Sequence, residues 1–121
     1  MNTTVTIRVR LPALNEYTDA CRKNRYEAAK MKRDAEELII WQIKRMKPIK
    51  SPVIINLTWI EANRRRDPDN VRFAVKFILD AFQKAKKIPN DNSKYIIGFS
   101  DRYDYSTGDY GVIIEIQEAN V

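Results

Sequence analysis

Two carboxylates separated by one proline, Asp67 and Asp69, follow directly on three arginines in the stretch RRRDPDN, residues 64–70. Two uses fit such a string. Asp67 at an N-cap, Pro68 at the first helical position and Asp69 in the first turn, where the helix dipole favours an anion, make an ordinary helix start. The same carboxylates are hard oxygen donors for Mg2+ or Mn2+, and the forked donors of Arg64, Arg65 and Arg66 suit the phosphates that would flank such an ion. Capping is the commoner use of a string like this one.

Two further residues bear on the choice. Asp91, in the stretch PNDNSKY, stands at the start of a later strand, after a helix long enough to return the chain along a sheet. If that return brings it to Asp67 and Asp69, three carboxylates converge, and they repel one another unless a metal or a proton is bound. Lys76 shares a helical face with Asp69, Phe73 and Asp80. It is placed either to meet a phosphate or developing negative charge, or to pair with Asp80 four residues on.

Composition narrows the chemistry. The chain has no histidine and one cysteine, Cys21, which removes disulfides, structural zinc and every histidine-based general base or triad. Cys21 has basic neighbours but no histidine partner and reads as an incidental thiol. A net charge of +6 favours an anionic partner, nucleic acid ahead of an anionic membrane. The first residues lack a cationic segment followed by an apolar run, and no stretch is long enough to span a bilayer. The expectation is a soluble, cytoplasmic protein without a membrane partner.

The elements that must position these residues follow from periodicity. Thr3 to Leu11 alternates and predicts a strand, with Val5, Ile7, Val9 and Leu11 on one face. A polar stretch follows, with turns at Asn15 and Asn24. Met31, Ala35, Leu38, Ile39, Ile43 and Met46 then predict an amphipathic helix to about Lys47. Val53, Ile55, Leu57 and Trp59 mark a second strand ending near Glu61. Val71, Val75, Ile78, Phe82 and Ala85 predict the buried stripe of a second helix, which leaves Phe73 and Phe77 as exposed aromatics and a candidate dimer interface. Tyr95, Ile97 and Phe99 mark a third strand, and Val112, Ile114 and Ile116 a fourth, joined by DRYDYSTGDY as a polar hairpin loop turning at Gly108. At 121 residues this is one domain spanning 1–121, of α+β class and β-α-β-α-β-β order. Its expected layering is a mixed four-stranded sheet with two helices on one face.

The run RRRDPDNVRFAVKFILDAFQKAKKIPNDNSKYIIGF, residues 64–99, resembles the RusA family of Holliday junction resolvases, and the upstream LPALNEYTDACRKNRYEAAKMK looks like the matching segment of relatives in Gram-positive phage genomes. With the flanking strands, the likeness covers nearly the whole chain. It implies a RusA-like fold and a homodimer that binds four-way DNA junctions and makes paired nicks with Mg2+ or Mn2+. The family's essential acids fall on Asp67, Asp69 and Asp91, and its catalytic lysine on Lys76. There are two departures from the pattern. The lysine lies about one helical turn further from Asp69, and Asn90 stands where many members have an acid. A branched-DNA-binding protein without catalysis is the alternative, with the aspartates acting only as caps.

Overall fold

The computed structural model describes residues 2–119. Its elements are β1 (Asn2–Ile7), α1 (Leu14–Lys23), α2 (Arg25–Ile43), β2 (Val53–Glu61), α3 (Pro68–Arg72), α4 (Val75–Lys84), β3 (Ile96–Tyr105) and β4 (Gly111–Glu118). The four strands form one mixed sheet in the order β1-β4-β2-β3. β4 is antiparallel to both β1 and β2, while β2 and β3 run parallel. This is the expected α+β domain, with more helices than periodicity predicted.

β2 shows why the sheet has one buried face. Val53, Ile55, Leu57, Trp59 and Glu61 are buried, and the alternate residues are not. Their cross-strand partners Ile116, Ile114 and Val112 on β4, and Ile7 on β1, complete an apolar layer that packs on Ile39 and Ile43 of α2 and on Phe77, Ile78 and Phe82 of α4. The other face is polar at its centre. There Asn56 donates to Glu115 and Gln117 at 3.0 Å each and accepts from the Ser100 hydroxyl.

Several expectations are corrected. The polar stretch after Pro12 contains α1, started by the Ala13 amide donating to Glu16 at 3.1 Å. Asn24 does punctuate the chain, but between two helices. Its side chain accepts from the Glu27 amide at 3.0 Å and caps α2. Only Ala20 of α1 is buried, and the helix carries too few apolar residues to stand out from a polar stretch. The first strand stops at Ile7 rather than Leu11, although Leu11 remains in the core. In α2 the expected stripe is narrower, because Leu38 is exposed.

The second predicted helix is two helices. Between α3 and α4 the amide of Ala74 bonds to Val71 and that of Lys76 to Phe73, the i to i+3 pattern of a tightened turn. This junction re-aims the chain. Phe77 is fully buried and Phe73 partly so, stacked with each other and with Tyr17 of α1 at centroid distances of 5.4 to 5.8 Å. The expectation that both are exposed is therefore corrected, because α1 packs over them.

The third and fourth strands do not form a hairpin. β2 lies between them, and β3 extends through DRYDY to Tyr105 as the edge strand paired with β2 along its full length. Ser106 to Tyr110 alone make the connection, closed by the Ser106 amide on the Glu61 carbonyl and turned at Gly108, whose φ of 85° suits glycine. Gly111 is required for a different reason. A Cβ there would stand 2.5 Å from the Ile7 carbonyl oxygen across the sheet.

Candidate active site

Asp67 and Asp69 stand where β2 hands over to α3. Asp67 occupies the N-cap and its carbonyl accepts from the Val71 amide at 3.0 Å, so the predicted helix start is correct. Its carboxylate, however, makes no cap hydrogen bond. Among the described residues neither Asp67 nor Asp69 has a side-chain hydrogen bond or ion pair, and both are exposed. Asp67 opens on a cleft of about 250 Å³ that it shares with Arg10, Asn15, Glu16, Arg65, Arg66 and Asn70.

Asp69 looks toward β3. There Asp101 accepts from the Trp59 indole and from Arg72, each at 2.9 Å, and Arg72 also lies over the Phe99 ring. Burial, and then the charge of Asp101, hold the neighbouring Tyr103 phenol above its ordinary range, with Arg72 opposing and Asp69 adding to the effect. This Trp59–Asp101–Arg72 group was missed in the sequence because DRYDY was assigned to a loop. Read as a strand, its alternation puts Asp101, Tyr103 and Tyr105 on one face.

The three arginines have separate duties. Arg66 is largely buried and donates to Glu61 through Nε and Nη2 at 2.7 Å each, and through Nη1 to Glu16 at 3.0 Å and the Leu11 carbonyl at 2.9 Å. It therefore ties β2 to α1, with donors that the expected role would turn to phosphates engaged within the chain. Arg64 and Arg65 are exposed, and Arg64 stacks over Tyr105 at 3.9 Å. Glu16 also receives Arg10 at 3.0 Å. Burial would raise its carboxyl, but hydrogen bonds from Arg10, the Ala13 amide and Arg66 outweigh that and hold it below the usual range.

Lys76 is exposed, with Nζ 3.6 Å from Asp80, the structural alternative left open by its spacing. Asp80 also faces Lys32 at 3.5 Å, and Lys32 and Lys84 flank the buried Glu36. Lys76 is thus the outer end of an ion-pair chain that joins α2 to α4.

Asp91 lies elsewhere. Ile96 pairs with Val53 and Tyr105 with Glu61, so the segment before β3 sits at the opposite end of β2 from Asp67 and Asp69. Eight residue steps at a rise of ~3.3 Å make this separation on the order of 25 Å. The expected three-carboxylate cluster does not form within one chain. Among the described residues no group of three or more His, Cys, Asp or Glu is arranged to hold a metal. Asn90, at the departure from the family pattern, accepts the Asp91 amide at 2.7 Å.

Two exposed, unpaired carboxylates at the N-cap and in the first turn of α3 still meet the small protein share of a Mg2+ shell, one or two acids with water and phosphate oxygens for the rest. No helix among the described residues is long and apolar enough to cross a membrane.

No family model matches this chain, and no curated protein matches it.

Proposed function

We propose that the chain is a metal-dependent, structure-selective endodeoxyribonuclease that nicks four-way DNA junctions as a homodimer. The observation that carries this reading is Asp67. It holds the N-cap position without spending its carboxylate on the cap, and Asp69 beside it is equally unengaged. Acids that only capped the helix would be hydrogen-bonded to its amides.

Asp67 and Asp69 would hold Mg2+ or Mn2+. When bound, such an ion supplies charge stabilisation to a phosphodiester and a more acidic water as nucleophile. Arg64 and Arg65 then grip the flanking phosphates, which offsets the repulsion between the strand and the two acids. Lys76, held near Asp80, contributes positive field to the same end of α4. A symmetric junction suits a symmetric dimer, because two equivalent strands meet two identical sites.

The separation of Asp91 from the pair favours one other reading, a branched-DNA-binding protein without catalysis. A labelled four-way junction incubated with and without Mg2+ separates them. Nicks that need the metal and vanish in Asp69→Asn, with junction binding retained, support the nuclease. Binding indifferent to Mg2+, with no nicks at any metal concentration, leaves the binding protein.

A further inference from the structure

At the end of the sheet remote from Asp67 and Asp69, the C-termini of α2 and α4 meet the starts of β2 and β3. The Ile49 amide bonds to the Lys87 carbonyl at 2.8 Å, and the Val53 amide to that of Tyr95 at 2.7 Å. Five exposed cations crowd this end: Arg45, Lys47, Lys50, Lys86 and Lys94. None of them is in an ion pair among the described residues, which at the other end is true of Arg64 and Arg65 but not of Arg10, Arg66 and Arg72. The nearby acids are few. Asp91 is half-buried, and Glu118 is held by Ser51 at 2.9 Å.

Helix dipoles account for only part of this charge. They favour cations in a last turn, and Lys47, Lys50 and Lys94 lie beyond one. Lys86 adds an independent observation. It has a φ of 58°, the left-handed conformation, directly after Ala85, the C-cap of α4. Its amide bonds to Gln83 and that of Lys87 to Phe82, at 2.9 and 2.8 Å, the paired closing bonds of a helix stop that glycine makes without strain. Here a lysine bears that strain and adds a cation to the rim of a cleft of about 430 Å³, opposite Lys50 and beside Tyr95.

We infer that this cationic end is a second nucleic-acid contact, docking the phosphate backbone of a duplex arm away from the Asp67–Asp69 pair. The choice of DNA as the polyanion rests on the proposed function. Charge complementarity favours a polyanion: Ile49, Ile88 and Ile96 are buried here, and the exposed apolar side chains near this end, Trp41 and Ile97, are outnumbered by the five cations. Unpaired cations around a cleft match regularly spaced phosphates, whose release of counterions makes such binding steeply salt-dependent.

The test is binding of a plain duplex in EDTA, which does not depend on nicking. Lys50→Ala with Lys94→Ala is expected to weaken binding about tenfold or more at about 0.1 M salt and to lower the log–log salt slope by about 2. Lys86→Gly is expected to raise Tm by about 3–6 °C while weakening binding several-fold. Unchanged affinity and slope in the Lys50/Lys94 variant overturns the inference. So does a stabilised Lys86→Gly protein with undiminished affinity, or tighter binding to anionic phosphatidylserine vesicles than to duplex. Loss of duplex binding in a protein that never nicks junctions would sustain this surface while removing the nuclease.

Discussion

Arg66 donates to both carboxylate oxygens of the buried Glu61, two hydrogen bonds of 2.7 Å made by a side chain that lines the same cleft as its neighbours Arg65 and Asp67 but, unlike them, is tied into the fold. The pair closes the space between the end of β2 and the start of α1. Removing one member leaves the other charged and buried, which costs about 3–5 kcal/mol. Arg66→Ala should therefore lower unfolding free energy by about 3 kcal/mol in urea titration, with the DNA affinity of the folded protein unchanged. Lysine cannot reproduce the fork, so Arg66→Lys should recover only part of the loss. A stable Arg66→Ala protein that has lost DNA binding would return this residue to the DNA surface.

Glu16 gives the same network a pH dependence. Its carboxyl is held below the ordinary value of 4.5, so the folded state binds this proton less readily than the unfolded chain does. The stability it contributes is present above that value and is lost as pH falls through the lower folded value. Glu16→Gln should consequently flatten the acid limb of the stability curve below about pH 4.5 and leave its neutral and alkaline parts parallel to wild type. Thermal melts across that range in both proteins provide the check.

Gly111 begins β4 where the backbone of β1 passes closest. A methyl group 2.5 Å from the Ile7 carbonyl oxygen meets the Ile7–Arg8 backbone, and not a flexible side chain that could move away. Gly111→Ala should destabilise by about 1–3 kcal/mol, as overpacking does, while the permissive position Gly98 tolerates alanine with a much smaller loss. Denaturant midpoints of the two variants would distinguish this close approach from a general intolerance of the sheet.

Asp91 cannot join Asp67 and Asp69 in its own chain. In a homodimer it could do so across subunits. Mixing Asp69→Asn and Asp91→Asn subunits then gives heterodimers with one intact site, and recovered nicking of about a quarter of wild type for random assembly. Sites formed within each chain would leave every mixture inactive. A fully active Asp91→Asn homodimer would remove this acid from the chemistry altogether.

Much of the secondary structure was legible because it is local. The alternation in β2 and β4 marks which side chains face inward, and Asp67-Pro68 marks a helix start, whatever lies around them. The polar composition of α1 hid a helix that covers Phe73 and Phe77 through Tyr17. The charged alternation of β3 resembled a loop because an edge strand needs few apolar residues on its outer half.

The amino-acid sequence alone determined the α+β class, the inward faces of the central strands, the absence of histidine and disulfide chemistry, and a surplus of positive charge. Only the tertiary structure decided that β2 separates β3 from β4, that Arg66 faces inward, and that Asp91 lies at the far end of the sheet from Asp67. The physical reason is common to all three. Periodicity specifies the face of an element, whereas strand order and charge pairing are set by contacts between residues distant in sequence, among several apolar edges and several carboxylates that are locally equivalent.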